Sequence, residues 1–582
     1  MHRLISMAMR VTSFLLLSAL LFAGEVFAAD VYYMGGSSAG GETGKNKEFT
    51  LQKRVDDLLD FKNYGEYGPD RSGRISGNVS VEVNTNNIFG NKDQSFLREG
   101  VYSVWESTLN VQERLWDDYN FEGQIFMRRT DDRRIESRKD VRIKQLDMKI
   151  SNPKNMLHFG DFYGEFSQFT LGQSLEGFDL NIQEVDGQKY HFIAARRNEA
   201  DWATDQYQRN VFGGEAEYSY NGGGDFNLFN MGVQAVTSQD DKGSVSKVNS
   251  AIDLNNTVVS LDGEIRPVKN FGVIYEVAQS GYNSNEKDPN ENMIYGSAFR
   301  IQPELKVKDA KLRYLYYYVT PKFYTDSGSA MPDKEQHQLS FDWKIMRGLS
   351  ISLIENYYWN HLKGSRQTMR TINDEKYMSV YIRPLVKSPS FTIRPYVNLL
   401  SRDSDDLYNT LESATNTYGV SFNDSVADGM VNYGMGYEHR EYDDIANHSA
   451  GSEIYNRVMG NIGLDLNFFG RRLYLSDDIS VDFRSTKTDN NSDVTVANSV
   501  SCVYDFHDLC SFRGATNLQN MNGAGPGTNT TTTRNYGEFI FTFDKKRSLK
   551  WMLRAEQNMV RPENGSNGYT EERCIMKVMS NF

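Results

Sequence analysis

Apolar and polar residues alternate one by one along most of this chain, in runs of roughly ten to thirteen residues. In residues 337–345, His337, Leu339, Phe341, Trp343 and Ile345 share one side, against Gln338, Ser340, Asp342 and Lys344. In residues 391–399, Phe391, Ile393, Pro395, Val397 and Leu399 oppose Thr392, Arg394, Tyr396 and Asn398. Ile462, Leu464, Leu466 and Phe468 oppose Asn461, Gly463, Asp465 and Asn467; Ile479, Val481 and Phe483 oppose Asp478, Ser480, Asp482 and Arg484. Leu549, Trp551, Leu553 and Ala555 oppose Lys550, Met552, Arg554 and Glu556. Only extended backbone places successive side chains on opposite faces, so this period specifies strands with one apolar and one polar face. The chain is all-β.

Two architectures use such strands: a soluble sandwich with its apolar faces inward, and a membrane barrel with its apolar faces outward. Three features select the barrel. The strands are longer than the usual five or six residues. Aromatic residues crowd strand ends, as in Tyr314, Tyr316, Tyr317 and Tyr318 and again in Tyr357, Tyr358 and Trp359, where rings at headgroup depth belong. Connections also alternate in length. From about residue 208, short links (267–270, 347–348, 470–472, 506–508) take turns with long ones (238–247, 321–335, 361–375, 521–533). A sandwich has no reason to sort its loops by end, whereas barrels have short periplasmic turns and longer outside loops. The composition agrees: the chain carries a net charge of −13, yet holds 34 Tyr and 33 Phe and is 13% aromatic. The expected fold is therefore a closed antiparallel transmembrane β-barrel over residues 74–582. About 19 strands are read from Gln208 onward. Earlier strands are read near Arg74, Val101, Asp118, Asp140, Asn155, Leu175 and Gln188, for a total of 26. The total is 24 if the pieces at Asn155 and Leu175 fold inside. The glycine-punctuated stretch 160–180 reads as an irregular hairpin or as a constriction element within the barrel.

The single long apolar run is at the start: Arg3 and Arg10 flank or precede Val11 to Ala23, and Val26-Phe27-Ala28 closes a cleavage pattern. Residues 1–28 thus read as a secretory signal peptide. Residues 29–73 read as a flexible glycine-rich segment with a short amphipathic helix carrying Leu51, Val55, Leu58 and Leu59, periplasmic or luminal. The last residues alternate again, Cys574, Met576, Val578, Ser580 and Phe582 on one face. A strand ending on phenylalanine resembles the C-terminal signature of Gram-negative outer-membrane β-barrel proteins, although Ser580 stands where that family often has an aromatic residue. The resemblance implies an outer-membrane location. It also implies that Phe582 is read by the barrel-assembly machinery.

No catalytic or cofactor motif appears: no Gly-x-Ser-x-Gly, Walker loop, His-Glu-x-x-His or Cys-x-x-Cys-His, and the eight histidines are scattered. No enzyme activity, cofactor, metal or nucleic-acid partner is expected. Cys502 and Cys510 flank the short link at 506–508 on one apolar face and read as a disulfide in an oxidising compartment. Residues 128–149 interleave nine basic with five acidic residues. With charges at Arg142, Lys144, Arg394, Asp465, Asp482, Arg484, Lys550, Arg554 and Glu556 on polar faces, these describe a hydrated lumen; internal salt bridges that fill the barrel are the alternative. The expected function is a channel for polar or charged solutes, in contact with outer-membrane lipid and lipopolysaccharide. The alternatives are a sheath around a periplasmic or luminal partner protein, as in porin–cytochrome conduits, and a loop-display barrel for adhesion.

Overall fold

The computed structural model describes residues 73–582 apart from 116–118, 137–139, 184–185, 199–206, 223–225, 245–252, 284–291, 366–368, 385–389, 406–410, 447–450, 488–491, 524–527, 544–547 and 564–567. The expected signal peptide and N-terminal helix lie outside the described residues.

The wall begins with β1 (Arg74–Gly90), β2 (Gly100–Arg114), β3 (Asn120–Thr130), β4 (Arg142–Ser151), β5 (Asn155–Glu165), β6 (Gly172–Ile182) and β7 (Gln188–Asn198). It continues through β8 (Gln208–Tyr220), β9 (Phe229–Asp241), β10 (Asn255–Val268), β11 (Phe271–Asn283), β12 (Ile294–Val307), β13 (Ala310–Val319), β14 (Lys334–Met346), β15 (Leu349–Trp359), β16 (Thr371–Ile382) and β17 (Thr392–Ser404). It ends with β18 (Glu412–Val426), β19 (Val431–Asp444), β20 (Glu453–Phe468), β21 (Arg471–Thr486), β22 (Ser492–His507), β23 (Cys510–Asn522), β24 (Thr530–Thr542), β25 (Leu549–Pro562) and β26 (Tyr569–Asn581). Each strand pairs antiparallel with the next, and β26 pairs back onto β1 from Asn78↔Asn581 to Gly90↔Tyr569. The 26-stranded sheet therefore closes on itself, and no edge is left to seek another chain or to sit unpaired in lipid. A circular barrel of 26 strands spaced about 4.8 Å and tilted about 40° is roughly 50 Å across at its backbone.

The pieces at Asn155 and Leu175 are wall strands β5 and β6, so the 24-strand count is excluded. The final residue completes the closure: Phe582 and Gly77 exchange backbone hydrogen bonds of 3.0 and 3.1 Å. Gly77 is suited to this place because a Cβ there would lie 2.3 Å from the Thr108 carbonyl and 2.8 Å from the Phe582 ring.

The two faces differ as the alternation requires. Leu339, Trp343, Leu466, Ile479, Phe483, Leu553, Met576 and Val578 are all exposed on the outer face of the isolated chain. Rings gather on this face toward both ends. Toward the long links, His337 lies 5.1 Å from Tyr316 and stacks at 5.5 Å on Trp359, which also meets Tyr357. Toward the short turns, Phe468, Tyr504, Phe506, Phe539, Phe541 and Trp551 form a chain of ring contacts. Two aromatic bands bounding an apolar belt are what headgroup regions on both sides of a bilayer favour.

The expected disulfide does not form: Cys502, Cys510 and Cys574 are all free thiols. The sequence placed the hairpin turn around Phe506, which would set Cys502 opposite Cys510. The turn instead falls at 508–509, with a register shift between Tyr504 and His507. Cys510 thus faces His507, and Cys502 faces Gly514. Five residues of strand separate Cys502 from His507, roughly 16 Å, far beyond the ~7 Å Cα separation that a disulfide spans. Alkylation of the unfolded chain without reductant is expected to label all three cysteines; a mass showing two protected thiols would contradict this register.

Candidate functional site

Because the apolar residues face outward, the polar half of each strand faces the interior of the barrel. Arg394, Asp465, Asp482, Arg484, Lys550, Arg554 and Glu556 lie on this inner face, as does Arg142, which stands opposite Arg128, while Lys144 is the extra residue at the register shift beside it. Most of them are held by other charges. Asp482 takes a forked pair of hydrogen bonds from Arg457 (Nε 2.7 Å, Nη2 3.0 Å). Asp465 is 2.7 Å from Arg472, and Arg484 pairs with Glu453. Lys144 reaches Glu136 at 2.7 Å. Arg554 lies 2.6 Å from Glu556 as an ion pair, while its guanidinium lies over the Tyr536 ring at 4.4 Å. Across the closure seam the network runs on through Arg573, Lys577, Glu82, Glu106 and Arg128. Among the described residues, Arg394 approaches only the Tyr377 hydroxyl, at 3.4 Å. The alternation assigned a face to the charges from Arg394 to Glu556, but at Arg142 the face is set by the irregularity between Ile143 and Gln145, since strict alternation would put Arg142 with Leu146, Met148 and Ile150. It could not reveal partners such as Arg457 or Lys577, because these depend on register between strands.

The interior is not a bare ring. Two links fold onto the inner wall: the first is the inward element offered for stretch 160–180, and the second differs from the expectation of a loop outside. The first is the tip of the β5–β6 hairpin. The β4–β5 ladder stops at Asp147↔Gly160 and the β6–β7 ladder stops at Glu176↔Arg196. Beyond these points the hairpin pairs only with itself. Its side chains Phe162, Leu171 and Leu175 pack on Ile193, Ala195, Val211 and Val236 of the inner faces of β7, β8 and β9. Stretch 160–180 is thus both things the sequence suggested: wall at its ends and an inward element in its middle.

The second link is 320–333, between β13 and β14. Phe323 packs with Phe169 of the hairpin tip, Val258, Ala278, Ala298, Tyr317 and Val319. Small residues make the approach possible. A Cβ on Gly296 would fall 2.1 Å from the Phe323 nitrogen, and one on Gly328 would fall 2.7 Å from the Phe169 carbonyl. The links also bond to each other: Gly172 N–H donates to the Ser327 carbonyl (2.8 Å) and Ser329 N–H to the Gln168 carbonyl (2.9 Å). Thr170 is anchored to Gln234 at 2.7 Å, and Ser327 to Ser238 at 2.7 Å. Asp326 closes the assembly. Its carboxylate sits between Arg197 (2.9 Å) and Arg209 (2.7 Å), and Arg209 also holds Asp240 at 2.7 Å. A buried carboxylate between two guanidiniums is compensated and directional, so it fixes the link in one place. Sequence reasoning missed Arg197, Arg209 and Asp326. The signal available was the run of small residues Ser327, Gly328, Ser329 and Ala330 within an otherwise long loop.

Other long links tie to one another at their base. Arg134 bonds Asp132 through Nε (3.0 Å) and Nη2 (2.7 Å) and donates to the Phe96 carbonyl at 2.8 Å. The hydrogen bond from Arg134 holds the Asp132 carboxyl below its ordinary range. A folded value below the unfolded one, about 3.9, means that the pair stabilises this link above that pH. Its contribution is lost as pH falls through the depressed folded value. Limited proteolysis of link 131–141 is expected to be unchanged from pH 7 to 5 and to accelerate only below about pH 4.

No protein-family model and no curated protein matches the sequence. Among solved structures, the chain is similar to the siderophore receptor PirA from Pseudomonas aeruginosa, with 10% identity, 88% of this chain and 80% of that chain covered, and a TM-score of 0.39. It is similar to the ferric enterobactin receptor PfeA of the same organism at 8% identity, covering 88% and 81%, again with a TM-score of 0.39. It is also similar to a mutant Rh. blastica porin at 10% identity, which covers 49% of this chain and 94% of the porin, with a TM-score of 0.24.

Proposed function

We propose that this chain is an outer-membrane channel for polar and charged solutes. The observation that carries the reading is the division of faces in a sheet without edges. An apolar belt with aromatic borders lies outside, and ionised side chains lie inside. A lumen lined with ionised groups of both signs holds water and imposes a field on whatever passes. In this reading Arg142, Lys144, Arg394, Asp465, Asp482, Arg484, Lys550, Arg554 and Glu556 line the pore. The two inward links narrow it on the side of β7–β13. Lipid and lipopolysaccharide surround the belt, and the assembly machinery reads Phe582.

The test is electrical. Residues 29–582 are refolded and inserted into a planar bilayer, and current is recorded in salts of differing cation and anion. Stepwise openings support the channel, and the reversal potential reports the dominant inner charge. A folded but silent barrel overturns it. The width of a 26-strand wall then favours a sheath around a partner protein, whose signature is co-purification with that partner.

A further inference from the structure

Where the β5–β6 hairpin bends inward, it leaves a notch in the outer surface of the wall. β4 and β7 flank the gap, and neither pairs with residues 161–175. Both lips of the notch are built. At one lip Gly160 takes φ +110°, and the Leu146 N–H, which has lost its ladder partner, donates instead to the Asp161 carboxylate at 2.7 Å. At the other lip Arg196 forks onto Glu176, with Nη2–Oε1 2.6 Å and Nε–Oε2 3.1 Å. A cavity of about 490 Å³ reaches through the wall here: Asp161, Tyr163, Ser174, Glu176 and Arg196 line it from the outer side, and Gln145, Asp147, His158 and Arg197 from the inner side. Tyr163 presents its ring to the opening and is 62% exposed.

Position and chemistry restrict what fits. Leu157, Phe178 and Phe192, exposed on the outer face below the notch, belong to the apolar belt. The notch itself sits at the upper border of that belt, on the side of the long links. An acyl chain would strip water from Asp161, Glu176 and Arg196 without replacing their hydrogen bonds. A phosphate would meet three carboxylates, Asp147, Asp161 and Glu176, and each basic side chain on the lining is already engaged: Arg196 by Glu176, Arg197 by Asp326 and His158 by Asp147. An uncharged ring bearing many hydroxyls meets neither objection. Its hydroxyls can donate to carboxylates and accept from Gln145 and Arg196, and its apolar face can lie on Tyr163. The volume falls in the range of ordinary small-ligand sites.

We propose that the notch binds a neutral saccharide unit, presented by a glycolipid of the surrounding leaflet or by a free oligosaccharide. The proposal takes its depth from the membrane reading above, but not from conduction. The mature barrel is refolded in a detergent without sugar groups. Maltotriose is titrated by calorimetry, and retention of digalactosyl diacylglycerol against phosphatidylglycerol is counted by native mass spectrometry. At least one saccharide probe is expected to bind saturably, with phosphatidylglycerol not enriched. Maltotriose alone identifies a soluble glycan, and the glycolipid alone identifies the leaflet. Tyr163→Ala is expected to weaken binding at least about five-fold, and Ser174→Trp, which fills the notch from the facing strand, to abolish it. Failure of both saccharide probes to bind the folded barrel overturns the site, as does unchanged binding in a folded variant of either kind. Conductance of the same preparation reports separately on the channel: a silent barrel that binds sugar overturns conduction and leaves the notch standing.

Discussion

Asp326→Asn is expected to free link 320–333 from the inner wall. The wild-type carboxylate accepts from both Arg197 and Arg209, and the Asp326 backbone N–H is itself bonded to Asn256 at 2.8 Å. An amide keeps the size and loses the charge, so Arg197 and Arg209 press against a neutral group while Asp240 continues to hold only Arg209. The loss of charge-assisted bonds costs about 2 kcal/mol. Trypsin reads the result directly. The bond after Lys322 is protected because Phe323, one residue on, is buried under the hairpin tip. Where cleavage follows the open population, about 2 kcal/mol corresponds to about thirty-fold faster nicking. Nicking at the wild-type rate would show that the apolar contacts of Phe323 alone hold the link. In a bilayer the same variant is expected to give noisier current.

The second large effect lies at Gly160. Its φ of +110° is closed to residues with a side chain, and an added Cβ would meet the Leu146 carbonyl at 1.9 Å. Both the backbone strain and the clash must be relieved by moving β4 or β5, at a combined cost of about 2–4 kcal/mol. Gly160→Val is expected to lower the urea midpoint of the refolded barrel and the temperature at which its compact gel band is lost. Gly172→Ala is the control, since its Cβ would touch only the Tyr163 hydroxyl at 3.4 Å. Equal behaviour of the two variants would mean that the bend at Gly160 is not what sets the inward hairpin.

Much of the wall was legible because a membrane imposes two simple patterns. Alternation assigned Asp482 and Arg484 to one face and Ile479 and Phe483 to the other without any knowledge of neighbours. The strand starts read at Asn155, Gln188 and Gln208 coincide with those of β5, β7 and β8. The misread disulfide has its cause in register. The turn at 508–509 and the bulge beside it shift pairing by a couple of residues, a displacement that leaves the alternation of each strand intact. Cys502 and Cys510 were therefore placed on the right face and at the wrong height. The inward link 320–333 was missed for another reason. A loop that covers a polar inner wall needs the same serine, glycine and aspartate as a loop in water, so residues 320–333 looked external. Asp326 becomes informative only once Arg197 and Arg209 are known to stand beneath it, more than a hundred residues away in sequence.

The reciprocal bonds between Gly77 and Phe582 have a consequence for how the molecule comes into being. The contact joins residues about 500 positions apart in sequence. Bringing the ends of so long a chain together costs roughly 5–6 kcal/mol of configurational entropy, and this is recovered only when β1 and β26 zip along their whole length. Until that moment every intermediate is an unrolled sheet with two sticky margins, prone to recruit foreign strands. Closure of the cylinder is thus a late event that waits for β26 to reach β1.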